Sequence, residues 1–394
     1  MTRKEFIKLC SLLGLSIPFY TTYGFSTNSN NKEHLSKFKG KVLIIGAGAA
    51  GLTAAYRLSQ IGVDFQILEA SSNYGGRMKT STNFVDFPIP LGAEWLHVER
   101  DIFDEIINNS TVNIATETTG YNADDDALYQ GEEVTMDDMG FGIDQKFIGS
   151  SWLDFFKQHL LPSIQEKIIY NQVVTSIDYS GDKIFTKTSN ATYEADKIIV
   201  TVPVKMLQKK SITFIPQLPK NKLEKIDNVT VWDGFKAFIE FSDKFYPTVI
   251  ESKVSPKKSG QKMYYDASYG QNSERHVLGL FTVGSATLPY IQLSDSELIE
   301  YILDELDEMF DGEASANYIK HISQNWNNEP FIQGAYVYNY ESWRAINTLG
   351  KSVNNKVFFA GTAYTTGDDW GGVHSASHSA IRAVNEILEY KNRN

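Results

Sequence analysis

Lys41-Val42-Leu43-Ile44-Ile45-Gly46-Ala47-Gly48-Ala49-Ala50-Gly51 is the stretch on which the fold turns. Val42 to Ile45 is an unbroken apolar run, as a strand covered on both faces requires. It passes straight into Gly46-x-Gly48-x-x-Gly51. Leu52-Thr53-Ala54-Ala55-Tyr56-Arg57-Leu58 then continues with the small and apolar residues of a packed helix, and Gly62 is placed to end it. Val63-Asp64-Phe65-Gln66-Ile67-Leu68-Glu69 alternates and predicts a second parallel strand that closes on an acid. Strand, glycine turn, helix, strand and acid in this order predict a dinucleotide site. Gly46 permits the tight turn, Gly48 lets the backbone approach a pyrophosphate, and Gly51 lets the helix pack on the strand. The helix opens at Ala49, and its free N–H groups suit phosphate. Glu69 would accept from ribose hydroxyls and repel a 2′-phosphate.

Around that unit the composition is globular. The 394 residues are 42% hydrophobic, 22% charged and 13% aromatic, which excludes a disordered or collagen-like chain. A net charge of -11 argues against nucleic acid as a partner. The one cysteine, Cys10, excludes an internal disulfide and a cysteine zinc site, and the seven histidines form no HExxH pattern. No metal is expected.

The chain opens Thr2-Arg3-Lys4-Glu5-Phe6-Ile7-Lys8, followed by an apolar run from Leu9 to Tyr20 and a Thr- and Asn-rich exit, Thr21 to Asn31. A basic start, a short apolar core and a polar exit have the layout of an export signal. The run is too short to span a bilayer. It resembles a bacterial twin-arginine signal with Lys4 in place of the second arginine. The expectation is an exported protein, periplasmic or secreted, with residues 1–30 as signal and linker and no membrane span after their removal.

Behind Glu69 come Gly75-Gly76-Arg77, a second glycine contact suited to a longer, pyrophosphate-bridged cofactor. Here the residues begin to resemble the flavin-containing amine oxidases, the family of monoamine and polyamine oxidases. Pro90-Leu91-Gly92-Ala93-Glu94-Trp95-Leu96-His97 resembles the family's segment at the flavin. Asn171 to Leu207 resembles its third FAD segment, which implies that Val174 pairs its backbone with adenine. Trp326 to Tyr336 resembles the segment returning to the flavin. Val357-Phe358-Phe359-Ala360-Gly361-Thr362, then Gly371-Gly372-Val373-His374 and an amphipathic helix, resemble its closing signature. The resemblance implies FAD held by Gly75, Gly76, Arg77, Gly92, Ala93, Glu94, Trp95, Val174, Gly361, Thr362, Gly372 and Val373, in addition to the dinucleotide fingerprint. It implies a small-molecule amine as substrate and O₂ as acceptor.

By the same resemblance Lys236, in Gly234-Phe235-Lys236-Ala237-Phe238-Ile239-Glu240-Phe241, holds a water against flavin N5. Tyr336 forms one wall of the aromatic cage, and His97 binds a distal amine. The expected chemistry is hydride transfer from the amine α-carbon to N5, hydrolysis of the imine to an aldehyde, and reoxidation by O₂ with release of hydrogen peroxide. The helix beginning at Gly372 and Val373 would aim its N–H groups at flavin N1 and O2. Three departures stand out. Ala335 replaces the cysteine that tethers flavin in monoamine oxidases, so FAD is expected to be non-covalent. Gly372 replaces the second cage tyrosine, and Trp343 or Trp370 would serve as a wall instead. Thr362 and Ala363 stand where many relatives carry an acid.

The expected fold is α/β. A Rossmann-like FAD-binding domain with a parallel sheet and helices comprises 38–97, 166–225 and 329–394. A discontinuous α+β substrate domain with a mixed sheet comprises 98–165 and 226–328. Asp124-Asp125-Asp126 and Glu132-Glu133 form an acidic loop. Two other readings keep the fold or the flavin alone: an L-amino-acid oxidase, for which Arg100 or Arg344 would meet a carboxylate, or a desaturase; and an exported non-enzymatic flavoprotein.

Overall fold

A computed structural model describes residues 38–129, 132–133, 144–252, 260–337, 343–365 and 371–389. The leader with Cys10, and Trp370, lie outside these residues, as do the side chains of Trp343 and Arg344. No helix among the described residues is long and apolar enough to cross a membrane.

The first unit is built on β1 (Lys41–Ile45), followed by α1 (Ala49–Gln60) and β2 (Asp64–Leu68). β3 (Ile168–Ile169), β4 (Lys197–Val200) and β5 (Val357–Phe359) complete a five-stranded parallel sheet in the order β5-β4-β1-β2-β3. The apolar run of β1 is explained by two covered faces. Val42 and Ile44 pack in the core formed with α1 and the C-terminal helix Val373–Glu389. Leu43 and Ile45 pack against Val174, Ile177 and Ile184 of a four-stranded sheet on the other face.

The second unit is a mixed seven-stranded sheet in which Gly234–Phe241 lies second from one edge. That strand pairs antiparallel with both His276–Gly284 and Tyr318–Asn325. Its odd-numbered residues, Phe235, Ala237, Ile239 and Phe241, pack with the helix Asp295–Met309. That helix begins in a capping box between Ser294 and Glu297, which satisfies orphan N–H groups at its start. Phe238 faces the other way, toward Phe84, Phe87, Ile89 and Trp95.

The segment 98–165, expected in the substrate domain, contributes to both units. Helices Asp101–Ile107 and Trp152–His159 pack in the core of the parallel sheet through Ile102, Phe103, Ile106, Trp152 and Phe155. Ala127–Tyr129 instead joins the seven-stranded sheet beside Val249–Glu251. The apolar faces of these two short helices seek the nearest large core, which belongs to the nucleotide unit.

Candidate active site

The glycines at the end of β1 divide into two kinds. A Cβ on Gly51 would lie 1.9 Å from Gly46 O, so this glycine is required by the packing of α1 on its strand. Gly46 has φ +107°, which favours glycine. A Cβ on Gly48 would meet nothing within 4 Å, so the chain itself does not demand glycine there. Gly48 caps α1 with no side-chain hydrogen bond, and the first turn of α1 carries no acid. An open glycine at an uncapped helix start fits an anionic group drawn close to the backbone. Glu69 is buried at the end of β2, accepting from Ala47 N at 2.6 Å and from Ser71 N at 2.8 Å. Gln172 N donates to Glu69 O, which sets Val174 close to the acid.

Gly75 runs beside Gly48 in a short parallel bridge, and Gly75 N donates to Ala47 O. The next segment is pinned by Arg77. Its backbone O accepts from Ala93 N at 2.9 Å, and a Cβ on Gly92 would lie 1.8 Å from that same oxygen. The Arg77 guanidinium donates to Thr362 Oγ1 at 3.0 Å. Burial lowers its pKa to about 10, and among the described residues no carboxylate pairs with it. A half-buried cation with no carboxylate beside it among the described residues fits a cofactor phosphate. Gly361 and Thr362 are thereby drawn to the same edge, where Gly361 N donates to Ser379 Oγ. These features fit the diphosphate of FAD.

Lys236 shares the face of Phe238 and is only 3% exposed, in an interior strand. The strand is paired on both sides, so Lys236 does not stand on a solvent-facing edge. Its Nζ donates to Glu94 Oε2 at 2.6 Å and to Pro90 O at 3.2 Å. It lies 4.9 Å from the centre of the Trp95 ring and 5.7 Å from that of Tyr265. Burial, the larger influence, lowers the Lys236 pKa, and Glu94 opposes it. The Tyr265 hydroxyl also donates to Glu94 Oε2. Glu94, expected among the cofactor contacts, directs its carboxylate at Lys236 and Tyr265, where a buried acid finds donors.

Trp95 donates its indole N–H to the Tyr121 hydroxyl and packs edge-on against Tyr265 and Phe281. His97 is half-buried, with Nδ1 3.0 Å from Asp144 Oδ1, and its ring lies 6.5 Å from those of Trp95 and His374. Tyr336 is half-buried beside Trp232 at 5.8 Å, and its carbonyl accepts from Trp232 N. Ala335 packs so closely that a Cβ on Gly234 would lie 2.5 Å from its own Cβ. At Gly372 a Cβ would fall 2.2 Å from the His374 ring. The imidazole of His374 therefore occupies the space a side chain at 372 would need. Val373 begins the last helix and is buried in the parallel-sheet core.

Sequence reading missed Tyr265, Lys146 and Asp144, which sit in segments without a motif and reach the site only through tertiary packing. It also gave no role to His374, although that residue lies in the closing signature. Arg100 donates to Thr116 O and Thr118 Oγ1 at the surface, an ordinary structural engagement. In the acidic loop, Asp126 accepts from Thr248 and Asp125 from Asn122 N, so two of its carboxylates support local structure.

Comparison with known proteins agrees with this geometry. A family profile described as flavin containing amine oxidoreductase matches residues 157–388, and one described as NAD(P)-binding Rossmann-like domain matches 44–106. Mouse lysine-specific histone demethylase 1B is 25% identical over 86% of this chain and 52% of its own length. The chain thus spans about half the length of that relative. Probable polyamine oxidase 4 of Arabidopsis thaliana is 23% identical over 92% of this chain and 90% of its own. Cyclohexylamine oxidase from Brevibacterium oxydans superposes with a TM-score of 0.74 at 16% identity, covering 89% of this chain and 99% of that one. Putrescine oxidase bound to putrescine superposes at 0.72 and 15%, covering 90% and 100%. At these identities the structural matches establish the fold.

Proposed function

The chain belongs to the flavin containing amine oxidoreductases, and from that premise we propose that it oxidises a small-molecule amine to an imine, which water converts to an aldehyde, with O₂ reduced to hydrogen peroxide. FAD is the cofactor, and with Ala335 at the tethering position and no cysteine beyond Cys10 it is held without a cysteinyl bond. Bound FAD supplies the two-electron acceptor for hydride from the amine α-carbon. The α1 N-terminus and Arg77 would hold its diphosphate, and Glu69 would accept from its ribose.

The observation that carries this reading is the placement of Lys236. A lysine from the second unit is buried against the segment 90–97, and that segment is hydrogen-bonded to the Arg77 backbone of the first unit. A binding module has no need of a buried lysine there. At the edge of a reacting centre, an N–H donor can orient water, substrate or O₂. Trp95, Tyr265 and Tyr336 supply apolar and aromatic surface that excludes bulk water, and His97 with Asp144 offers a polar end for a second amine.

Peroxide release by the purified protein, measured over a panel of monoamines, diamines, polyamines and L-amino acids, tests this. Turnover of an amine is expected. Turnover of amino acids alone would favour the amino-acid oxidase reading, and no turnover with flavin bound would favour the non-enzymatic one. Export, read from the leader, is proposed alongside: the mature N-terminus of protein from the producing cells should lie beyond Tyr20.

A further inference from the structure

We propose that Glu94 is the positioning residue of this site: its carboxylate aims Lys236 and keeps it an ammonium, and it couples that lysine to a second buried one, Lys146. The inference rests on the amine-oxidising reading above and names how the site's lysine is controlled.

Glu94 is 5% exposed and surrounded by donors from three strands. Lys236 and the Tyr265 hydroxyl reach Oε2, while Lys146 Nζ stands 3.9 Å from Oε1. Lys146, 3% exposed, also donates to Asp266 O and Ala267 O at 3.2 and 2.8 Å. Tyr121, on the far side of Trp95, has its pKa raised by burial first and then by the Glu94 charge. Asp266 completes the set and is itself paired with Lys244 at 2.8 Å. Two buried lysines therefore share one buried carboxylate, with Asp266 as the next nearest anion. Behind Glu94 and Lys146 lies a cavity with room for about one water. Ser150, whose buried hydroxyl has no hydrogen-bond partner among the described residues, lines it.

The charge state of Lys236 decides what it can offer. An ammonium carries three N–H donors. Two are committed, to Glu94 and to Pro90 O. One remains for water, substrate or O₂. A neutral amine has two N–H groups, and with those same partners kept it would present a lone pair instead. Burial lowers the Lys236 pKa and Glu94 raises it. Without the carboxylate, burial acts unopposed, and Lys236 loses its proton at lower pH. Glu94 thus selects a donor over a lone pair at this point of the site.

The test uses the holoenzyme with Glu94→Gln, which keeps shape and removes charge, with Lys236→Met, and with both. The visible spectrum of the bound flavin is titrated with pH in the absence of any amine. A transition at least one pH unit lower in Glu94→Gln than in wild type, absent from both variants lacking Lys236 and moved back by Glu94→Asp, is expected. Identical midpoints in wild type and Glu94→Gln would overturn the proposal. Melting of the flavin-free proteins supplies the second readout, since removing one partner of a buried pair costs far more than removing both. The double variant should recover part of the loss in melting temperature caused by Glu94→Gln, since Lys146 still lacks its carboxylate in both, and strictly additive losses would overturn the pairing. If Glu94→Gln does not fold and the double variant does, the coupling stands; if neither folds, the proposal falls. None of these readings needs a substrate. A protein that releases no peroxide from any amine would sink the proposed function while the fate of this inference is read independently.

Discussion

Lys236 carries an apolar stem through a packed strand and ends in a nitrogen between Pro90 O and Glu94. Lys236→Met retains the stem and removes only the donor. Bound flavin should be retained, because the diphosphate contacts belong to the other unit. With an amine that turns over, stopped-flow spectra of the two half-reactions should show at least one slowed by about 10²-fold, the usual contribution of a positioned acid–base or electrostatic group. Near-normal rates in both would remove Lys236 from the chemistry. Residue 372 makes a different point. A tyrosine introduced at Gly372 does not rebuild an aromatic cage, since its Cβ meets the His374 ring at 2.2 Å. Gly372→Tyr alone should lower the melting temperature, and the added change His374→Ala should restore part of it. Equal melting temperatures for the single and double variants would show that His374 simply moves aside.

Among the elements, α1 allows its glycines to be told apart by experiment. Gly48 has φ −82° and open space where a Cβ would stand, so Gly48→Val should leave the melting temperature of flavin-free protein nearly unchanged while abolishing flavin retention on gel filtration. Gly51→Ala should damage the fold itself, because its Cβ would fall on Gly46 O. If both behaved alike, the assignment of Gly48 to the diphosphate would be wrong. The helix Trp343–Gly350 carries a second element-scale device. Lys222 donates to Thr348 O and Leu349 O at its C-terminal end and lies 3.9 Å over the Phe359 ring. Those carbonyls and the ring favour the ammonium. Burial, followed by the Arg382 charge, outweighs them and lowers its pKa to about 7. Below pH 7 the group is protonated in both folded and unfolded chains, and the cost of burying its charge is present in full. As pH rises from about 7 toward the ordinary lysine value, the folded form gives up its proton first. The unfolded state then binds more protons, so this contribution to stability rises with pH. Thermal unfolding between pH 6 and 10 should show that rise in wild type and not in Lys222→Met. A variant with the same pH dependence as wild type would exclude Lys222 as its source.

At the scale of the whole molecule, cofactor retention unites the two units. The segment 90–97 is bonded to Arg77 on one side and to Lys236 on the other, so bound FAD should stabilise both against unfolding. Added FAD should raise a single melting transition, by an amount that grows with the logarithm of its concentration once that exceeds its dissociation constant. Acid or heat should release the flavin to the supernatant, and flavin that stays with the precipitate would contradict the absence of a cysteinyl bond. How far the molecule was legible beforehand follows from the range of the interactions involved. β1, α1, β2 and the glycine turn could be read directly, since apolar periodicity and turn chemistry act between near neighbours. The placing of Asp101–Ile107 and Trp152–His159 in the nucleotide unit could not, since a short apolar face does not name its partner. Sequence alone determined the dinucleotide fold, the acid that ends β2, the loss of the tethering cysteine and the lysine in Gly234–Phe241. Only tertiary structure decided which face of that strand Lys236 occupies, because the helix Asp295–Met309 covers the odd-numbered residues and turns the even-numbered ones inward. Tertiary structure likewise brought Lys236, Lys146 and Tyr265 around the one carboxylate of Glu94. These residues come from distant segments, and a buried charge selects its partners by distance in space, where strand register and packing place the donors, and not by spacing along the chain.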